Sequence, residues 1–254
     1  MGANGQPSGN LVNFQVDYHK NMKNNKICVI IPTLNEESSI GNVIDEIPKK
    51  ALEDSGYIVD ILVVDGISTD HTIQIAQEKG AIVVLETRRG KARAIRTALE
   101  KVESDYIFML DGDFTYSAAY IPGMLKILQK YPVVIGSRLK CKREKGALAK
   151  VNFIGNHILT AVANILYGTR ISDLCTGFWG FRKEVVQNLN LTSEGFQLEA
   201  EFLIQVAKKG YKIGEVPILY RCRAGKAKLS GFKDGIKIGK FLFDKKFHKS
   251  SKPQ

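Results

Sequence analysis

Residues 106–113 read Tyr-Ile-Phe-Met-Leu-Asp-Gly-Asp: five apolar side chains run into a carboxylate, a glycine and a second carboxylate. An apolar run without polar alternation reads as a strand buried on both faces, as in a parallel sheet covered by helices. Its polar end then falls in a turn beyond the sheet. There the glycine lets backbone approach a ligand closely, and the two carboxylates can meet at one point.

Working outward, the same pattern recurs. Strands are expected at Ile27–Ile31, Ile58–Asp65, Ala81–Glu86 and Val133–Gly136, besides Tyr106–Asp111. Helical periodicity fills the gaps at 37–50, 70–79, 91–103 and 117–130. This βαβ alternation predicts an α/β fold, a mostly parallel sheet with helices on both faces. Such sheets bind ligands beyond the carboxyl ends of their strands. The strand ends are Pro32-Thr33-Leu34-Asn35-Glu36, Asp65-Gly66-Ile67-Ser68-Thr69-Asp70, Arg88-Arg89-Gly90-Lys91 and Asp111-Gly112-Asp113, and all four are polar.

Each end suggests a chemistry. Asp111 and Asp113 are expected to share a hard divalent cation, Mg2+ or Mn2+, that bridges diphosphate oxygens. Asp65 is expected at a nucleotide base or ribose, and Asp70 at a helix start as its cap. Free N–H groups where 32–36 opens a helix suit a phosphate or a base edge. Arg88, Arg89 and Lys91 are placed to pair with a diphosphate.

The second half is less regular. A mostly apolar helix over 150–167 is interrupted by Asn152, Asn156, His157 and Asn164. It suits either the core or a membrane surface. The Gly-rich aromatic stretch Thr176–Arg182 follows, then a helix over Glu194–Gly210 and a strand over Tyr211–Tyr220. From 231 to 247, Phe232, Ile236, Gly239, Phe243 and Phe247 recur at helical spacing among Lys233, Lys237, Lys240, Lys245 and Lys246.

The net charge is +11, and residues 211–254 carry 12 Lys/Arg against 3 Asp/Glu. A basic end on a near-neutral body suits an anionic partner: phospholipid, a phosphorylated acceptor or nucleic acid. No nucleic-acid module motif accompanies it, so nucleic acid is not the expected partner. The four cysteines form no C-x-x-C pair, which fits a reducing compartment. Residues 1–25 read as a disordered leader without a signal peptide, and no apolar run reaches 18 residues. The division expected is leader, one domain over 26–230, and a basic amphipathic tail over 231–254. The place expected is the cytoplasmic face of a membrane, held peripherally.

Ile31-Pro32-Thr33-Leu34-Asn35-Glu36, Val64-Asp65-Gly66-Ile67-Ser68-Thr69-Asp70, Asp111-Gly112-Asp113, Gly136-Ser137-Arg138, Thr176-Gly177-Phe178 and Glu215-Val216-Pro217-Ile218 stand in this order along the chain. Together they resemble the GT-A fold glycosyltransferases, and within them the dolichyl-phosphate hexose synthase group. That group includes dolichyl-phosphate mannose and glucose synthases and archaeal dolichyl-phosphate N-acetylglucosamine synthases. The resemblance covers roughly residues 26–240. It implies a nucleotide-sugar donor held by Pro32, Leu34, Glu36, Asp65, Lys91, Asp111, Gly112 and Asp113, with Asp111 and Asp113 on the metal. It implies a dolichyl or polyprenyl phosphate acceptor met by Arg138, Arg221, Arg223 and Lys228. Asp113 and Arg138 are then the expected catalytic residues.

The late loop Arg221–Leu229 leaves open whether Arg221 or Arg223 matches the family's arginine. Three departures bear on the sugar: Thr115 stands where mannose synthases carry a Gln ligand, Ala227 replaces a Ser, and Ala92 replaces a Gly. They favour a UDP-linked glucose or N-acetylglucosamine donor over GDP-mannose. Asp173 and Glu199 are read as structural or sugar-hydroxyl residues. If the acceptor were a saccharide alcohol, one of them would serve as base.

Overall fold

The computed structural model describes residues 25–223, apart from 89, 142–143, 145–146, 148 and 196, together with 231–247. Residues 1–24 of the leader, Arg89, Ala227, Lys228 and residues 248–254 therefore lie outside the described residues.

The chain begins with β1 (Lys26–Thr33), two short helices α1 (Ile40–Asp45) and α2 (Lys49–Asp54), and β2 (Ile58–Asp65). It continues through α3 (Thr72–Glu78), β3 (Ile82–Leu85), α4 (Lys91–Lys101) and β4 (Tyr106–Met109). A short 3-10 turn leads into α5 (Ile121–Leu128), then β5 (Val133–Ser137) and α6 (Lys150–Tyr167). Last come β6 (Trp179–Arg182), α7 (Lys183–Val186), α8 (Leu198–Lys208), β7 (Ile213–Pro217) and α9 (Gly231–Phe247).

One seven-stranded sheet runs β3-β2-β1-β4-β6-β5-β7. Its pairs are parallel except where β6 meets β4 and β5. Successive residues of β1 serve opposite faces. Ile27, Val29 and Ile31 pack with α1 and α5, whereas Cys28 and Ile30 join the cluster formed with α4, α6 and α8. This is the expected mostly parallel sheet with helices on both faces.

Two expectations change. The helix over 37–50 is two helices, because Pro48 cannot continue the first and stands as the N-cap of α2. The aromatic stretch 176–182 supplies an antiparallel strand inserted between β4 and β5. Gly180 is required there, since a Cβ would lie 2.7 Å from Val134 Cγ1 and 2.8 Å from Phe108 Cε1. Residues 231–247 pack on α6 and α8, with Ile238 and Leu242 buried.

Candidate active site

The loops after β1, β2 and β4 meet at the carboxyl edge of the sheet. Asn35, Ile67 and Phe114 lie in these loops and have φ of 53°, 63° and 62°. They are the only non-glycine residues with positive φ among the described residues. Such backbone is costly for Ile above all, and it persists only where neighbours over-determine it. Here they do. Asn35 N–H donates to Ser68 Oγ at 2.7 Å, Thr69 N–H donates to Asn35 Oδ1 at 2.8 Å, and Ser39 Oγ donates to the Gly112 carbonyl at 2.8 Å.

Asp111 and Asp113 follow β4, the first half-exposed and the second buried. Each shares a cation with a glutamate. Lys91 Nζ lies 2.7 Å from Asp111 Oδ1 and 2.8 Å from Glu199 Oε1, which bridges the starts of α4 and α8. Arg223 lies 3.1 Å from Glu36 Oε1 and, through Nε, 3.3 Å from Asp113 Oδ2. That Nε is buried yet makes no aligned hydrogen bond, so it is a donor without an acceptor. Burial works against the charge on Lys91, but Asp111 and Glu199 raise its pKa above the ordinary value. Burial first, and then the like charge of Asp111, push Asp113 above the usual carboxylate range, although Thr115 and Arg223 oppose the shift. The Thr115 backbone N–H and hydroxyl both donate to Asp113 Oδ1.

Gly177 closes the site from the other side. A Cβ there would sit 2.5 Å from Asp111 Oδ2. Its N–H donates to Tyr116 Oη at 2.7 Å, and Tyr116 is buried with its ring edge-on to Tyr220.

The remaining expected residues divide. Pro32 is the penultimate residue of β1, and Leu34 and Glu36 lie in the loop after it, with Leu34 exposed. Asp65, expected at a base or ribose, is fully buried instead. Its carboxylate accepts from Thr33 Oγ1, Ser68 N–H and Ser68 Oγ, so it fastens the first loop to the second. Asp70, expected as the cap of α3, stands one residue before the N-cap His71, and its carboxylate accepts from Thr72 N–H at the first position of the helix. Arg88 turns away to Glu86.

Arg138 is buried at the end of β5, and its Nε and one Nη both donate to the fully buried Asp173. Arg221 forks onto Glu46, with its guanidinium 4.3 Å from the Phe114 ring centroid. Of the two arginines left open in the late loop, Arg223 is therefore the one beside the carboxylates. Tyr116 and the Lys91–Glu199 bridge escape a reading of the sequence, because both depend on contacts between distant segments.

The donor set fits a hard cation. It is all oxygen, two carboxylates on one turn, and the like charge of Asp111 acts on Asp113. Among the described residues no three or more acidic, His or Cys side chains could hold a metal alone. Ligand oxygens and water would have to complete the shell.

The family profile described as Glycosyl transferase family 2 matches residues 28–189. The glycosyltransferase AglJ of Haloferax volcanii is 37% identical over 76% of this chain. The low-salt glycan biosynthesis hexosyltransferase Agl6 of the same organism is 34% identical over 85%. The chain spans 62% and 52% of those two relatives. A dolichyl-phosphate hexose transferase of Haloferax volcanii is 36% identical over 85% of the chain and 92% of its own length. Among solved structures, glucosyl-3-phosphoglycerate synthase from Mycobacterium tuberculosis superposes with a TM-score of 0.70 at 22% identity, covering 89% of this chain and 82% of that one. That structure holds Mn2+, UDP and glucosyl-3-phosphoglycerate, and at this identity the likeness is one of fold.

Proposed function

We propose, since this chain belongs to glycosyl transferase family 2, that it transfers a hexose from a nucleotide-sugar to a dolichyl or polyprenyl phosphate with inversion. One observation carries the reading. Two carboxylates on one turn, Asp111 and Asp113, each share a basic side chain with a glutamate at the edge where the strand-end loops meet. The dolichyl-phosphate hexose transferase of Haloferax volcanii, matched over nearly its whole length, supports the acceptor class.

The donor diphosphate lies against Lys91, with Pro32 and the first-loop residues Leu34 and Glu36 around the nucleotide and Asp65 fixing that loop. Asp111 and Asp113 would hold Mg2+ or Mn2+, which when bound neutralises charge on the leaving diphosphate. The acceptor phosphate meets Arg223 and the guanidinium edge of Arg138 that Asp173 leaves over. Arg suits a phosphate because its donors are paired in one plane. Lys228 belongs to the same late loop.

A phosphate monoester, with a second pKa of about 6, is largely a dianion at neutral pH. Its oxygen attacks the anomeric carbon without a general base. The new bond between the phosphate oxygen and the anomeric carbon forms as the bond from that carbon to the donor diphosphate oxygen breaks, and the electron pair leaves with the nucleoside diphosphate. Arg223 and Arg138 keep two anionic reactants close, which is the main electrostatic obstacle. The donor is UDP-glucose or UDP-N-acetylglucosamine, since Thr115 already gives its hydroxyl to Asp113 where a longer Gln would reach outward. An acceptor of this kind sits in a membrane, so the enzyme works peripherally at its cytoplasmic face.

The test is incubation with UDP- and GDP-sugars and dolichyl phosphate, with and without chelator. The expected product is a sugar-lipid from a UDP-sugar, lost on chelation and in Asp113→Ala. Full activity in chelator sinks the metal role, and transfer to soluble alcohols alone sinks the acceptor.

A further inference from the structure

Helix α6 leaves a row of apolar residues on the outside of the protein. From Val151 to Tyr167 it contains no charged residue. Its buried positions are Asn156, Thr160 and Ala163, while Val151, Ile154, Ile158 and Ile165 are 64%, 57%, 59% and 82% exposed. A surface helix ordinarily does the reverse. The cause lies underneath. Asn156 Nδ2 donates to Asp173 Oδ1, its Oδ1 accepts from Cys175 N–H, and Thr160 Oγ1 accepts from Leu174 N–H. Asn164 brackets Ile171 by donating to its carbonyl and accepting from its N–H. Asn156, Thr160 and Asn164 are thus committed to the loop 171–175, Leu159, Val162 and Leu166 pack on the core beside them, and a second apolar row, Val151, Ile154, Ile158 and Ile165, is left outside.

α9 lies alongside. A Cβ on Gly239 would stand 3.6 Å from Leu159 Cδ2, and Tyr167 Oη donates to the Leu242 carbonyl at 2.7 Å. It adds exposed Ile236, Phe243 and Phe247. Exposed cations border the two helices: Lys150 and Arg170 at the ends of α6, and Lys237, Lys240 and Lys246 on α9. The acidic residues of α9 are Asp234, buried and 3.6 Å from Lys237, and Asp244, half-buried. Isolated exposed apolar residues need no explanation, but a charge-free stripe at helical spacing, joined by aromatics, marks a contact surface.

We infer that the outer faces of α6 and α9 dock the protein on an anionic lipid bilayer, with the apolar stripe at the acyl boundary and the basic border on the headgroups. The inference deepens the lipid-phosphate reading above and rests on it for the acceptor. A second copy fits less well, because a symmetric interface would set the same cations against one another. No described helix is long and apolar enough to cross a membrane.

The test is flotation with vesicles of phosphatidylglycerol and phosphatidylcholine in equal parts, without donor or acceptor. The wild-type protein floats, and Ile154→Ser, Ile158→Ser and Ile165→Ser combined lower the bound fraction about tenfold. Ile82→Ser with Leu85→Ser, equally exposed on the edge strand β3, leaves it unchanged. Lys240→Glu with Lys246→Glu weakens binding to these vesicles. A wild-type protein that stays in solution overturns the inference, as does a triple variant that floats like wild type. So does a triple variant whose only change is a dimer becoming a monomer in sedimentation. Transfer to a short-chain, soluble polyprenyl phosphate is measured in parallel. If flotation depends on the face but no phosphate acceptor is glycosylated, the docking stands and the acceptor reading fails.

Discussion

Arg221 and Arg223 are one residue apart in the spacer sense, and the sequence motif does not choose between them. Geometry separates their roles. Arg221 forks onto Glu46 and covers the Phe114 ring, whereas Arg223 reaches Asp113 and Glu36. Arg221→Lys keeps charge but loses the fork, and should cost about 1–2 kcal/mol of stability in denaturant unfolding with modest change in turnover. Arg223→Lys should leave stability within about 0.5 kcal/mol and lower kcat/KM by roughly tenfold or more. Equal effects from the two would contradict this assignment. Gly177→Ala places a methyl against Asp111 Oδ2 and should cut kcat/KM by about tenfold or more while the protein remains folded. Kinetics and circular dichroism on that variant check it.

At the scale of elements, the parallel strands were legible because their apolar runs and polar ends repeat at βαβ spacing. β2 and α6 have the bounds read from the sequence. β6 was not legible as a strand, because Gly177 and Gly180 depress strand propensity and its place between β4 and β5 is a long-range pairing. The orientation of α6 was equally hidden. Its pattern fits burial of either face, and only the loop 171–175 decides that Asn156 and Asn164 turn inward. Asn156→Leu removes a buried donor from Asp173 and an acceptor from Cys175, and should destabilise by about 2–4 kcal/mol in urea unfolding. A loss below about 0.5 kcal/mol would mean that the polar ladder does not hold the loop.

For the molecule as a whole, stability should depend on acid through its buried pairs. Burial raises the carboxylates of Asp173, Glu46 and Glu201, but Arg138, Arg221 and the Thr192 and Ser193 N–H donors bring each below its ordinary 3.8 or 4.5. A depressed carboxylate stabilises the fold above its unfolded value, and that contribution falls as pH drops toward the folded one. Thermal midpoints should therefore hold near neutrality and decline below about pH 4.5. Ligand binding adds to stability by mass action. Nucleotide donor with Mn2+ at about 100 times its Kd should add about 2.7 kcal/mol, with the gain lost on chelation and absent in Asp113→Asn. Differential scanning fluorimetry reads both effects.

The sequence alone determined the parallel strands of the sheet, the edge where their loops meet and the carboxylate pair Asp111 and Asp113 on it. It could do so because those features depend on local periodicity and on residues adjacent in the chain. Tertiary structure decided what each charged side chain faces. Lys91 meets Glu199 from 108 positions away, Arg223 meets Glu36 from 187, and Arg138 turns to Asp173 within the protein. Charge pairing acts through space, with burial setting its strength, and neither the partner nor the burial is written in the spacing of a motif.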